Sequence, residues 1–258
     1  MQSFFNSLTA EFLKLKRSIT LIIAVLMPLL AIIILSLMSL TSRRFASADQ
    51  WQVLSERIIL GNGYFFILIL VVILTASLNT IDHQANSWKH LFTLPAPRWL
   101  QFISKTFVAY TLILLSWSVI YLGIPISGWL LKSISSALTF EGAIPWRENG
   151  KEIIYIFLSS FFMISVHNWL CWRMKNFSLP VLLGFVFVVL GLFILIYSNA
   201  PSFDKSIQEN LNILQNFYPW VIHPPGYNET NWILYRIGGG VLVTILGCIH
   251  VHRKNVFN

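Results

Sequence analysis

Residues 82–105 read DHQANSWKHLFTLPAPRWLQFISK, a polar, proline-broken stretch wedged between two long apolar runs, Ile58–Leu78 and Phe102–Ile126. The runs set the fold and the wedge raises the question of function. A helix that crosses the ~30 Å hydrocarbon layer needs about 20 mostly apolar residues. Each run meets that length. Inside the wedge, Trp88, Leu91 and Phe92 oppose Lys89 and His90 on an amphipathic helical turn, and Pro95 stops the turn. Such a turn at a bilayer surface suits the docking of a soluble partner. An amphipathic loop resting on lipid fits the same residues.

Outward from the wedge, four further segments are long and apolar enough to span: Ile19–Leu40, Ile153–Trp172, Leu179–Tyr197 and Trp232–His250. Lipid gives backbone N–H and C=O groups no water to bond, so these segments must be helices. A β-barrel would show alternating segments of about ten residues, and the sequence has none. The expected fold is an all-α polytopic membrane protein: one transmembrane domain over 1–258, with six spans. Composition agrees, because 56% of residues are hydrophobic and 11% charged, against about 25% charged in soluble domains.

The net charge of +8 does not point to nucleic acid. Basic residues sit in small groups at the ends of apolar runs, as membrane proteins place them, and no Lys/Arg-rich tract is present. Six spans put both termini on one side. With the termini cytoplasmic, ten Lys and Arg lie inside and eight outside, a small excess in the direction of the positive-inside rule. Ala46-Ser47-Ala48 has the small-residue look of a leader cleavage site, but the run before it exceeds a leader's apolar core of 7–15 residues. Ile19–Leu40 is therefore read as a retained helix.

Two amphipathic stretches flank the spans. Phe5, Leu8, Phe12, Leu15 and Ile19 recur at helical spacing, beside Glu11 and ahead of Lys14, Lys16 and Arg17. This predicts an interfacial helix over 1–18 with its apolar face in the headgroup plane. In the external loop 199–231, Phe203, Ile207, Leu211, Leu214 and Phe217 trace a second stripe. It predicts a short external helix between the last two spans that caps the bundle, followed by a rigid segment with Pro219, Pro224 and Pro225 lined by Tyr218 and Trp220.

The chemistry of an enzyme is missing. There is no phosphate loop of the form GxxxxGK[ST], no zinc-type His/Cys spacing and no GxSxG nucleophile turn. Gly61-Asn62-Gly63 and Gly238-Gly239-Gly240 lie inside spans, where small residues let helices approach closely. Cys171 and Cys248 read as buried thiols. His167-Asn168 lies about one turn from the inner end of its span and reads as an interfacial hydrogen-bonding pair. Arg236, four residues past Trp232, would lie ~6 Å deep at 1.5 Å per residue and could snorkel outward. A place on a substrate pathway is the other reading, since intramembrane charges are often functional. The bundle carries no Asp or Glu at mid-membrane, which argues against an ion-coupled carrier.

The segment Asn86–Arg98, NSWKHLFTLPAPR, followed by Lys105, resembles the signature after the second span of type-2 ABC transporter permeases, and most closely the branch exporting lantibiotic and bacitracin-like peptides. Glu11–Ser18, EFLKLKRS, resembles the N-terminal helix of the same family, and the six-span layout extends the likeness over the whole chain. The family often opens the segment with a glutamate, where this chain has Asp82-His83. The resemblance implies a non-catalytic permease subunit of a bacterial inner-membrane exporter. Residues 82–98 would be a cytoplasmic coupling segment seated on ABC ATPase subunits, with Trp88, Leu91 and Phe92 as apolar anchors. Asp82 would supply its acidic group, and Lys89 and Arg98 would meet acidic partner groups. Pro95 would end the helix and fix its angle. It further implies a second permease chain, identical or related, and a hydrophobic or amphipathic substrate such as a peptide antibiotic, drug or lipid. ATP and Mg would be bound by the ATPase and no cofactor by this chain. Loop 199–231 would hold the outer gate. A membrane-embedded enzyme and an energy-independent scaffold or sensor are the competing classes.

Overall fold

A computed structural model describes residues 2–16, 18–40, 49–84, 97–135, 138–174, 176–198, 200, 204–221 and 229–253. Among them the chain is helical throughout, without strands. Helix α1 spans Gln2–Leu15 and α2 spans Ile19–Leu40. Helix α3, Gln50–Gly61, runs through a π-helical turn at Asn62–Phe66 into α4, Ile67–Gln84. Then come α5, Arg98–Ile134, α6, Trp146–Arg173, and α7, Ser178–Ser198. The short α8, Lys205–Phe217, precedes α9, Glu229–Arg253. Six helical stretches are long and apolar enough to cross a membrane, so the protein is an all-α polytopic membrane protein.

Several helices outrun the apolar cores that announce them. The second spanning stretch begins at Gln50 rather than Ile58, because Asp49 caps it: its carboxylate accepts from Trp51 N at 3.0 Å and satisfies an otherwise orphaned donor. Arg57 sits on this extension and donates from Nη1 to Met38 O at 2.7 Å, tying α3 to the end of α2. Helices α5 and α6 likewise reach beyond Phe102–Ile126 and Ile153–Trp172. The extra turns of α6 are held by Asn149 Nδ2 donating to Ser55 Oγ at 3.0 Å, and the loop between α5 and α6 is held by Trp51 Nε1 donating to Phe140 O at 3.1 Å.

The core is built from α4, α5 and α6, with Leu70, Val71, Val108, Ile113, Trp117 and Ile164 fully enclosed. Helices α2 and α7 turn much of their apolar surface outward, Ile22, Leu30, Leu182 and Phe193 among it. In water this would be a defect; in lipid it is the solvated face. Helices α6 and α9 run parallel in close contact. A Cβ on Gly240 would fall 2.3 Å from Phe161 Cδ1, and one on Gly247 would fall 2.6 Å from the Phe102 ring of α5. Thr244 Oγ1 pairs with Ser165 Oγ at 3.0 Å between them. The glycines after Ile237 thus let α9 sit directly on α6.

Helix α8 does not bury its apolar stripe against the bundle. Ile207 and Leu214 are exposed and Phe217 is 60% exposed, while Gln215 is buried instead. Phe203, Pro224 and Pro225 lie outside the described residues. The segment after α8, expected to stay external, dips into the bundle. Tyr218 Oη donates to Phe187 O at 2.8 Å, and the Trp220 ring lies 4.6 Å from that of Phe187. Phe187 is midway along α7. Gly191 makes the descent possible, because a Cβ there would meet Trp220 O at 2.7 Å.

Candidate functional site

Two places concentrate charge inside this apolar bundle. The first lies where the chain leaves α4 and re-enters at α5. Residues 85–96 are outside the described set, and with them Trp88, Lys89, Leu91, Phe92 and Pro95; the side chains of Asp82 and Arg98 are outside it as well. What is described is their frame. Pro97, extended at φ −65° and ψ 136°, leads into α5. About two turns along, the Lys105 side chain is 1% exposed. Its ammonium donates to Glu11 Oε2 of α1 at 3.0 Å and to Leu78 O of α4 at 2.9 Å. Glu11 also accepts from Lys14 at 2.6 Å. Beside them, Ser104 Oγ pairs with Ser7 Oγ at 3.0 Å. A buried charge is tolerated only when paired and fully hydrogen-bonded. Here the pairing joins α1 to both helices that flank residues 85–96.

Helix α1 thus divides the stripe that its periodicity predicted. Leu8, Glu11 and Leu15 turn inward, with Glu11 and Leu15 each 4% exposed, whereas Phe5, Phe12 and Leu13 point away. Lys16 is exposed and Arg17 lies outside the described residues. The inward role of Glu11 and Lys105 was missed by sequence reasoning. A usable signal existed: Glu11 shares a helical face with Leu8 and Leu15, so a charge interrupts an apolar row.

The second place is Arg236. Snorkelling is overturned: the residue is 0% exposed. Its Nη1 donates to Tyr218 O at 2.8 Å and its Nη2 to Gln215 O at 2.6 Å. The guanidinium lies 5.1 Å from the centre of the Trp232 ring and 5.8 Å from that of Phe162. Arginine's planar fork suits two carbonyls presented side by side, and its flat face stacks on aromatics. Gln215 completes the arrangement by donating to Ser198 Oγ. Arg236 thus fastens the re-entrant segment and the end of α8 to α9.

Between these two places runs a polar seam. Asn168 Oδ1 accepts from Asn79 Nδ2 at 2.8 Å, and Asn168 Nδ2 donates to Thr106 Oγ1 at 2.9 Å. This joins α4, α5 and α6, with Asn168 buried between them. His167, fully buried, lies edge-on to Trp220 at 6.2 Å. Among the described residues, no three His, Cys, Asp or Glu side chains gather as a metal site would require.

Among the described residues, the buried charges at these two places hold helices to one another. No curated protein matches the chain. The family model for ABC-2 family transporter protein matches residues 7–191, from α1 through most of α7 and across the Lys105 frame. The match spans well over half of the sequence, and the chain belongs to the ABC-2 transporter family, as a transmembrane permease.

Proposed function

We propose that this permease moves a hydrophobic or amphipathic substrate outward, driven by ABC ATPase subunits that grip residues 82–98 from the cytoplasm. The observation that carries the reading is the Lys105 junction: the two helices flanking the segment are bound to each other and to α1 by one buried ammonium. A push on the segment would then move three helices together rather than bend a loose loop. Trp88, Leu91 and Phe92 are the apolar anchors, and aromatic anchors commonly dominate interface energy. Lys89 and Arg98 meet acidic groups of the ATPase, Asp82 supplies the acidic group at the segment's start, and Pro95 fixes the helix end. Two ATPase subunits closing on nucleotide call for two permease chains. Their closure rocks the bundles as rigid bodies.

The re-entrant segment is the outer gate. Arg236 serves the pathway through that gate, holding its backbone rather than the cargo. A peptide antibiotic expelled from a bacterial inner membrane is the substrate that best suits the aromatic-rich bundle and the resemblance of Asn86–Arg98.

Co-purification tests the reading. The wild-type chain, purified from its native membrane, should retain an ABC ATPase. Trp88→Ala and Arg98→Glu should cut capture about tenfold, equal to a loss of about 1.4 kcal/mol, with unchanged membrane insertion. Normal capture by both variants would remove the assignment of the coupling segment.

A further inference from the structure

Helix α8 changes character along its length. From its cap to its middle it shows polar side chains to the outside: Asp204, Lys205, Ser206, Glu209 and Asn210 are all exposed, with Ile207 the one large apolar side chain among them. Its second half shows Ile213, Leu214 and Phe217 instead, all exposed. The inward face is polar. Gln208 and Gln215 stand two turns apart on that face, the first donating to Ala200 O and the second, fully buried, to Ser198 Oγ. A helix end that hides glutamine and shows isoleucine, leucine and phenylalanine is inverted for water and correct for lipid.

Two further observations place this end away from water. The last carbonyls of a helix lack partners within the helix and are ordinarily hydrated. Here Gln215 O and, just past the end, Tyr218 O accept from the guanidinium of Arg236, which is itself fully buried. The apolar end also continues a surface that faces lipid. The Phe217 ring lies 5.9 Å from that of Tyr235 on α9. Tyr235 and its neighbour Leu234 are exposed on a helix long and apolar enough to span. Beyond Phe217 the chain goes deeper, with Trp220 packed on Phe187 midway along α7.

We infer that α8 enters the bilayer rather than lying outside it: its first half stands in the aqueous or headgroup layer, and Ile213, Leu214 and Phe217 contact the acyl chains of the leaflet in which α7 ends and α9 begins. The inference goes beyond the transport reading, and its test needs neither ATPase nor cargo, so the two can fail separately. The full chain with Cys171→Ala and Cys248→Ala is reconstituted in phosphatidylcholine nanodiscs, and one cysteine is placed in turn at Lys205, Glu209, Leu214 and Phe217. The thiolate is the reacting form and hydrocarbon suppresses it, so a water-soluble maleimide should label Leu214→Cys and Phe217→Cys at least about tenfold more slowly than Lys205→Cys and Glu209→Cys. A fluorophore on the two slow positions should be quenched by phosphatidylcholine carrying a nitroxide near the start of its acyl chain, and on the two fast positions by aqueous iodide. Equal labelling rates at all four positions would put α8 wholly in water and overturn the inference. Slow labelling without quenching by the lipid nitroxide would mean that protein covers the face. A disulfide-linked dimer of Phe217→Cys would then identify a second copy as the cover, and the inference would fall.

Discussion

Lys105 is the residue that ties α1 to α4 and α5, and its replacement separates packing from charge. Lys105→Met would leave Glu11 buried with Lys14 as its described counter-charge. Losing one partner of a buried pair destabilises by about 3 kcal/mol or more. Thermal unfolding in detergent should show the drop, and adding Glu11→Gln should recover most of it; a double variant no better than the single would mean the pair is not the cause. Arg236 is the corresponding residue beside the segment after α8. Arg236→Lys keeps the charge but loses the fork, so either Gln215 O or Tyr218 O loses its donor, at about 1–3 kcal/mol. The expected readout is faster alkylation of a Trp220→Cys reporter in the Arg236→Lys background, with no change in membrane insertion. An unaltered rate would show that the guanidinium does not hold the segment. Neither partner set was legible in the sequence. Glu11 and Lys105 are 94 positions apart, and Arg236 binds carbonyls, which every residue possesses.

Helices were far easier to read than their neighbours. Apolar length announced each span, because crossing lipid is a demand that each segment meets alone. Ends were less legible: Asp49 and the turns after Pro145 are polar, so their helices extend where hydropathy alone stops. The π-helical turn at Asn62–Phe66 was hidden too. Asn62 donates back to Ile58 O at 2.8 Å inside an otherwise regular apolar run. The glycine triplet was read correctly as a packing device, and its members differ sharply. Gly240→Ala would press a methyl onto Phe161, whereas a Cβ at Gly238 meets nothing within 4 Å. Overpacking costs about 1–3 kcal/mol, so Gly240→Ala should lower the melting temperature measurably and Gly238→Ala should leave it unchanged or raised. Equal melting temperatures for the two variants would contradict the α6–α9 seam. The amphipathic stripe of α8 was correct as a helix signal and misleading as a burial signal. Periodicity shows that one face is apolar without saying whether protein or lipid covers it.

For the whole molecule, the transport reading requires residues 82–98 to face the cytoplasm. A His90→Cys variant in intact cells should react with a membrane-impermeant maleimide only after permeabilisation; labelling in intact cells would invert the topology and end the reading. Proteoliposomes holding this chain alone should move no substrate on addition of ATP. The sequence by itself determined the class of protein, the number of spans, the likeness to ABC-2 permeases and the absence of recognised catalytic motifs. Those follow from local quantities: hydropathy over about twenty residues and short motifs. Tertiary structure alone decided that Glu11 and Lys105 lock α1 to α4 and α5, that the segment after α8 descends to the middle of α7, and that Arg236 turns inward to hold it. These depend on which distant segments become neighbours. A charge in a low-dielectric interior is stable only beside a specific partner, and identifying that partner requires the folded chain.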